Sequence, residues 1–407
     1  MEIDFKGIVS KYGSPVYIYS FDMIRERLLY LKTHFDDCIK VYYAVKANPN
    51  LELIKSIAPM IDGLDVSSGG EIKQSVLAGY DPDRMSFAGP GKTESEIEYA
   101  IKAGVGSISV ESMDDFERIV SVGRNLAIKP NISIRINPSK LINKFAVKMG
   151  GRPTQFGIDE ECIDEFADRT ARDFSYVNFK GFHIYAGTQS LDADSISEGV
   201  DYNLNLIESL FEKFGVPSYI NLGGGFGVPY HDAGVVLDID YLTDAINKRV
   251  KAFCDKYKGI KVVFELGRYI VAEAGFYVTT VKSVKVSREK RFVIVDGGMH
   301  HNLSASGNLG QVIKKNYIID NITSPDAPVT NVELSGSLCT PIDTLGYNLS
   351  IPMPSKNDLI VIRNSGAYGF TASPLMFLGH ETPMEIMVKD GKPSVIRNSF
   401  DITKFNG

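Results

Sequence analysis

At 407 residues, with 44% hydrophobic and 23% charged residues, the chain has room for two domains, or for a barrel of about 250 residues with a smaller module, and enough apolar content for a substantial core. A net charge of −6 with no Lys- or Arg-rich run argues against a nucleic-acid partner. Residues 1–14 lack a basic-then-apolar leader and no run of about 18 apolar residues occurs, which argues against export and membrane spanning and sets the expected location in the cytoplasm.

The first β-rich run is Val16-Tyr17-Ile18-Tyr19-Ser20, which precedes the main alternating pattern and can join a sheet built from the other end of the chain. Next comes Val41-Tyr42-Tyr43-Ala44-Val45-Lys46-Ala47-Asn48-Pro49-Asn50, a strand that runs up to a lysine and stops at a turn signal. A lysine ending a buried strand must reach water along its aliphatic stem, find a carboxylate, or lose its charge; the last case is what Schiff-base chemistry needs. Strand candidates then recur at 41–46, 62–66, 85–88, 107–110, 132–136, 180–184, 218–222 and 262–265. Between and after them lie helical patterns at 51–58, 70–78, 93–103, 113–122, 159–172, 193–214 and 240–257, with Thr93 and Glu96 spaced as a capping box. Eight such alternations imply a parallel sheet closed into a barrel.

The insertion 137–157, containing Lys148-Met149-Gly150-Gly151-Arg152-Pro153, is expected as a loop at the catalytic end of that barrel. After Arg268 the pattern becomes all-β, with runs at 276–287, 291–296, 329–335, 358–363, 384–389 and 394–397. The expected fold is therefore α/β: a (β/α)8 TIM-type barrel over 36–270, an all-β domain of barrel or sandwich type over 271–407, and an N-terminal segment, 1–35, lending a strand to the β domain. Cys38, Cys162, Cys254 and Cys339 show no CxxC spacing, which argues against a zinc ribbon or a redox pair; each is expected as a buried small hydrophobe, with no metal.

Phosphate sites on such barrels favour the loops after strands seven and eight. Asn221-Leu222-Gly223-Gly224-Gly225-Phe226-Gly227 follows the seventh, and its glycines free backbone N–H groups to face an anion or, more plainly, make a tight turn. Phe264-Glu265-Leu266-Gly267-Arg268 follows the eighth, placing a carboxylate and a guanidinium that suit a cofactor or a rim ion pair. A lysine, an anion cradle and a carboxylate are together what pyridoxal 5'-phosphate requires.

These stretches, with Asp65-Val66-Ser67-Ser68-Gly69-Gly70-Glu71, Leu338-Cys339-Thr340 and Gly366-Ala367-Tyr368-Gly369, resemble over nearly the whole chain the fold-type III pyridoxal-phosphate decarboxylases, which include ornithine and diaminopimelate decarboxylases. Closer similarity is to a subgroup holding the butirosin-pathway enzyme, which acts on a glutamyl group on an acyl-carrier protein, and the exosortase-associated decarboxylases. It is carried by Phe87-Ala88-Gly89-Pro90-Gly91-Lys92, Lys148-Met149-Gly150-Gly151, Asp296-Gly297-Gly298-Met299-His300-His301 and Ser365 to Gly369. The resemblance implies that Lys46 forms the Schiff base, Glu265 pairs with the pyridine nitrogen, and Gly224, Gly225, Gly267, Arg268 and Tyr368 hold the phosphate. It implies that His183, Tyr185 and Thr188 line the cofactor, with Tyr185 standing where relatives stack a histidine. It further implies that Cys339 reaches a partner subunit's site as proton donor, in a homodimer with shared sites. His300, Thr340 and Asp343 are the substrate-contact candidates, with only one of the adjacent pair His300 and His301 expected to face the substrate if they lie on a strand. Thr340 replaces an acidic residue of those relatives, and Ser304 stands near the place of an arginine, so a substrate with a charged far end is disfavoured. The expected activity is decarboxylation of an α-amino acid or amino-acid-derived unit, free or carrier-bound. A diaminopimelate or other basic amino-acid decarboxylase is the alternative, and an amino-acid racemase and a non-catalytic regulator on the same fold are further ones, with Glu265 opposing the racemase and the retained Lys46, Glu265, Arg268 and Cys339 the regulator.

Overall fold

The computed structural model describes residues 3–140, 147–148, 151, 153–185, 187–309, 311 and 314–405. The chain forms two units, one of Arg27–Val228 and Val236–Tyr269, the other of Met1–Glu26, Pro229–Val235 and Ile270–Gly407.

The first unit is a closed parallel barrel of eight strands: β1 (Ile39–Ala44), β2 (Gly63–Val66), β3 (Met85–Phe87), β4 (Ser107–Val110), β5 (Asn131–Asn137), β6 (Asn178–Ile184), β7 (Tyr219–Gly224) and β8 (Lys261–Glu265). β8 closes onto β1, with Val262 opposite Ile39 and Glu265 opposite Tyr42. The two-residue strand Ile158–Asp159 adds beside β5. Residues Ile108, Val110, Ile132, Ile134, Ile136, Phe182, Ile184, Ile220, Val262 and Phe264, on one side of their strands, are buried, as expected for a sheet covered by helices. The alternate side is polar. Ser107 donates to Ser133 at 3.0 Å, Ser109 lies 3.2 Å from Ser133, and Ser86 donates to Asp65 at 3.3 Å. The barrel is thus apolar outside and lined by a hydroxyl chain inside.

Most of the βα turns end on a residue that caps the next helix. Asn50, Ser68, Ser112, Asp192 and Asp238 accept backbone N–H groups in the first turn of the helices that follow them. The expected capping box is present, Thr93 and Glu96 bonding reciprocally, and Glu96 also accepts the Gly69 N–H at 2.9 Å. One side chain therefore satisfies the starts of two neighbouring helices.

In the second unit the strands run in the order Thr344–Pro352, Val329–Ser335, Lys290–Val295, Gly275–Ser287, Val16–Ser20, Met384–Lys389, Lys392–Arg397. Val16–Ser20 is antiparallel to Gly275–Ser287 and parallel to Met384–Lys389. Its Val16 and Ile18 join Val278, Leu359, Val361 and Ile386 in an apolar cluster. The opposite face carries Tyr17 and Tyr19, whose hydroxyls donate to His301 O at 2.7 Å and Glu385 Oε1 at 2.6 Å.

Several elements differ from expectation. β1 ends at Ala44, and Lys46 lies in the 3-10 turn Val45–Ala47. Helices Phe5–Tyr12 and Phe21–His34 were not expected, although Phe21, Ile24, Leu28 and Leu31 form a buried stripe at helical spacing. Strands Ile319–Asn321 and Thr344–Pro352 were also missed; the second is interrupted by Gly346 and by Asn348 at φ +42°, which breaks the alternation a strand shows in sequence. Region 159–172 opens as a 3-10 turn and becomes α-helical only at Ile163. The expected burial of all four cysteines is wrong: Cys162 and Cys339 are exposed, and Cys38 and Cys254 are partly exposed. His300 and His301 sit on a turn after the strand Lys290–Val295, so they do not face opposite ways; their rings lie 3.7 Å apart. Of the insertion 137–157, residues 141–146, 149, 150 and 152 lie outside the described residues.

Replacing Thr93 with Ala removes one arm of the capping box and should cost about 1 kcal/mol. Thermal and urea unfolding should both show the loss; an unchanged midpoint in either would show that Glu96 alone suffices.

Candidate active site

The ends of β1, β2, β6, β7 and β8 converge on one group of charges. Lys46 leaves β1 through the 3-10 turn, and its Nζ stands 3.2 Å from Asp65 Oδ2 at the end of β2. The Asp65 side chain is fully buried while Lys46 keeps 39% exposure. Of the three fates open to a strand-end lysine, this one has found a carboxylate and retained a path outward. The Tyr185 ring lies 5.7 Å from Lys46 Nζ. Gly223, at φ +66°, makes that placement possible, since a Cβ there would come within 2.5 Å of the ring.

Glu265 ends β8 in full burial, and its carboxyl is pushed up to about 8, first by burial, then by the nearby Asp65 charge, with Lys46 and the Asn221 bond opposing. Asn221 of β7 donates its side-chain N–H to Glu265 Oε1 at 2.5 Å and to Tyr219 Oη at 3.0 Å. His183 of β6 is buried, with Nδ1 3.0 Å from Ser109 Oγ and Nε2 3.5 Å from Glu265 Oε1. Its pKa is held well below the usual range, chiefly by burial and then by Arg135 and Lys46, so the ring is neutral. Nε2 makes no hydrogen bond. A buried imidazole nitrogen without a partner, beside a carboxyl held up by burial, is a site built to receive another group.

Around this lies a second layer. Arg135 of β5 donates to both Glu111 oxygens at 3.0 Å, and Glu111 also accepts the N–H groups of Gly89 at 2.6 Å and Gly157 at 3.3 Å. Lys92 Nζ donates to Gly89 O at 2.7 Å and pairs with Asp115 at 2.7 Å, nearly without exposure. The Phe87–Lys92 motif thus fastens strand ends. Glu71 accepts the Ser67 N–H at 2.7 Å and is raised to about 7, mainly by burial.

The glycines of the β7 and β8 loops are required by close approach. A Cβ on Gly224 would meet Glu265 O at 2.0 Å, and one on Gly267 would meet Ala44 O at 2.8 Å and the Ala47 side chain at 2.9 Å. Gly225, at φ +90°, accepts the Ser190 N–H on its carbonyl at 2.9 Å. Arg268 follows in the short helix Gly267–Val271. Thr188 lies in a two-residue strand paired with Val147–Lys148.

The remaining candidates belong to the sheet unit. Asp343 spends both carboxylate oxygens on backbone, accepting the N–H groups of Met299 at 2.7 Å and Leu338 at 2.8 Å. Gly298 and Gly336 allow this, since a Cβ on either would collide with the carboxylate. Asp343 is therefore a clasp between two turns. Cys339 and Thr340 stand on one of those turns, exposed and half-exposed. His300 is buried with neither ring nitrogen hydrogen-bonded, and its pKa is lowered to about 4 by burial and His380. Ser304 Oγ donates to Tyr368 O at 2.8 Å, and Tyr368 adopts φ +55°.

Of the residues named from sequence, Lys46, His183, Tyr185, Gly224, Glu265 and Gly267 fall together at the barrel strand ends. Asp65, Asn221, Ser109 and Arg135 were given no role there. Asp65 had a signal, being a carboxylate at a strand end before Ser-Ser-Gly-Gly; the other three are ordinary polar residues within strands, and only barrel closure brings them inward. The Lys46 amine, the Glu265 carboxyl, the orphaned His183 nitrogen and the glycine-permitted loops suit a cationic aromatic ring bearing an aldehyde and an anionic arm.

Comparison with known proteins agrees with this chemistry. Residues 21–272 match the family described as "Pyridoxal-dependent decarboxylase, pyridoxal binding domain". The chain is similar to the L-glutamyl-[BtrI acyl-carrier protein] decarboxylase of Niallia circulans, 37% identical over 97% of this chain and 94% of that one. It is also similar to the 2-[(L-alanin-3-ylcarbamoyl)methyl]-2-hydroxybutanedioate decarboxylase of Staphylococcus aureus, 30% identical over 92% of this chain and 94% of that one. Among solved structures, diaminopimelate decarboxylase from Helicobacter pylori complexed with L-lysine superposes with a TM-score of 0.87 at 29% identity, covering 98% of each chain. No helix among the described residues is long and apolar enough to cross a membrane. With fold, strand-end charges and family in agreement, the chain belongs to the pyridoxal-dependent decarboxylases, with pyridoxal 5'-phosphate as its cofactor.

Proposed function

We propose that this enzyme decarboxylates an α-amino acid unit joined through its far end to a larger body, such as an acyl-carrier protein, rather than free diaminopimelate or a free basic amino acid. The observation that carries this is the chemistry at positions 304 and 340. Ser304 spends its hydroxyl on Tyr368 O, and Thr340, which by the family resemblance meets the substrate's far end, offers a hydroxyl in place of an ion. Burying an unmatched charge there would cost several kcal/mol, roughly a thousandfold in discrimination. The names of the two relatives above, a glutamyl-carrier decarboxylase and a decarboxylase of an amide-linked alanine unit, support the same reading.

The cofactor, when bound, supplies an electron sink for the pair left behind as carbon dioxide departs. Lys46 is the amine that holds it, prepared by Asp65 at 3.2 Å. Glu265, fixed by Asn221, would face the pyridine nitrogen and, in its anionic form, hold a proton there. Neutral His183 and Tyr185 cover the ring and exclude water. Gly224, Gly225, Gly267 and Arg268 take the phosphate, and the family resemblance adds Tyr368 and Thr188. Cys339 Sγ–H gives its proton to the carbon that lost carbon dioxide, reaching the site of a partner subunit in a homodimer. The exposure of Cys339 is compatible with that role. The setting is the cytoplasm.

Carbon dioxide release tests the substrate assignment. Glutamate and other amino acids loaded on a carrier protein should turn over at least about a hundredfold faster, in kcat/KM, than free glutamate, lysine or diaminopimelate. Faster release from free diaminopimelate would reject the proposal. Replacing Lys46 with Ala should abolish both the visible absorption of bound cofactor and turnover. Cys339→Ala should leave the absorption intact while slowing product formation by about 100-fold or more; full activity would remove Cys339 from the mechanism.

Glu265 also predicts a pH dependence for the cofactor-free protein. Its folded pKa, about 8, lies above the ordinary carboxyl value, so the folded state binds the proton more tightly than the unfolded chain. Stability should therefore fall as pH rises toward 8, by at most about 1.4 kcal/mol per pH unit for one proton. Glu71, raised to about 7, adds the same sign at lower pH. Between pH 7 and 8 the Glu265→Gln protein should lose most of this slope in thermal melts, and an unaltered slope would contradict the assignment.

A further inference from the structure

We propose that Cys38 and Cys254 form a redox-responsive dithiol that closes to a disulfide across the seam of the barrel when the enzyme meets a hydroperoxide. Cys38 immediately precedes β1, and its carbonyl accepts the Val262 N–H of β8 at 3.1 Å, so it sits where the first and last strands meet. The helix Ile239–Lys256 lies against this segment. Its Asn247 accepts the Asp36 N–H at 2.9 Å, and its Lys251 donates to Asp36 Oδ2 at 3.1 Å. Cys254, one turn beyond Lys251 on the same helix face, lies beside Cys38, the two thiols being side-chain hydrogen-bond partners. Its Sγ lies 3.8 Å from Ile260 O, just before β8. Both residues keep partial exposure, so a small oxidant can reach them.

With Cys254 attacking first, the product is the same as in the opposite order. The Cys254 thiolate forms an S–O bond as the peroxide O–O bond breaks, and the departing hydroxide takes a proton to become water. Cys38 then attacks the resulting sulfenic acid; the S–S bond forms, the S–O bond breaks, and the hydroxyl leaves as water with the proton from Cys38. Two thiols lose two electrons and one peroxide gains them. The absence of CxxC spacing says nothing against this, because helix and strand bring the two sulfurs together from opposite ends of the barrel sequence.

A disulfide here closes a long loop and joins the two halves of the seam, the placement that restricts an unfolded chain most. The reduced holoenzyme is treated with hydrogen peroxide, its remaining thiols are alkylated, and it is digested without reductant for mass spectrometry. The expected result is a peptide linking Cys38 to Cys254 that disappears with dithiothreitol, together with an unfolding midpoint raised by about 5 °C. The midpoint shift should be absent in Cys38→Ser and Cys254→Ser. Recovery of both cysteines alkylated after peroxide, as separate sulfinic acids, or linked instead to Cys162 or Cys339 would overturn the proposal. The peptide map needs only wild-type protein, so it decides the matter even where a serine variant fails to fold, and it does not depend on the substrate.

Discussion

A carboxylate held in full burial is the constraint that organises the barrel. Glu265 has no solvent to share its charge, and burial first, then the nearby Asp65 charge, push its proton affinity above that of an ordinary glutamate. Such a group is tolerated only where the fold supplies matching donors or a partner arrives. Here the fold supplies one strong donor, Asn221, and leaves the neighbouring His183 nitrogen without a hydrogen bond. Asp65 worsens the problem by adding a second carboxylate, which Lys46 only partly offsets because it keeps a path to solvent. The cluster therefore keeps a buried imidazole nitrogen without a hydrogen bond beside a carboxyl of raised proton affinity.

That arrangement explains the polar lumen. A barrel interior usually fills with branched apolar residues, yet here Ser86 bonds Asp65, and Ser107, Ser133 and Ser109 form a hydrogen-bonded run that reaches His183. The chain of hydroxyls does two things an apolar filling could not. It fixes the His183 ring through Nδ1, and it shares the polarity of the strand ends without adding charge. The formal charges outside it, Arg135 with Glu111 and Lys92 with Asp115, are paired at about ordinary ion-pair distance and tied to backbone amides, so they hold loops and do not compete for a ligand.

Much of this was legible in the sequence. Eight β/α alternations, the Lys46 strand end, the glycine-rich loop after β7 and Glu265 after β8 were all readable, because each follows from local pattern and a known site of function in the fold. What was not legible depended on closure. Ser109, Asn221 and Arg135 acquire meaning only when the strands carrying them become neighbours, and nothing in a single strand marks which polar residue faces a cofactor. The cysteines failed for the same reason: exposure at Cys162 and the meeting of Cys38 with Cys254 are set by helix placement. The adjacent histidines failed because a strand was assumed to continue one turn too far.

The turns of the sheet unit are held in a different way. Cys339, Thr340 and His300 stand on turns of the sheet unit, and those turns are held by backbone: Asp343 clasps the Met299 and Leu338 amides, while Asn302 donates to Ser365 at 3.1 Å and accepts the Ala305 N–H at 3.1 Å. Side chains at 300, 304 and 340 can therefore change without disturbing what holds the turns in shape. The barrel does not share this freedom, since Asp65, His183, Asn221 and Glu265 are buried and hold one another, and changing one leaves a buried polar partner unsatisfied. The chain is about equally similar to decarboxylases of an amide-linked alanine unit and of diaminopimelate, and carries Thr at 340 and Ser at 304.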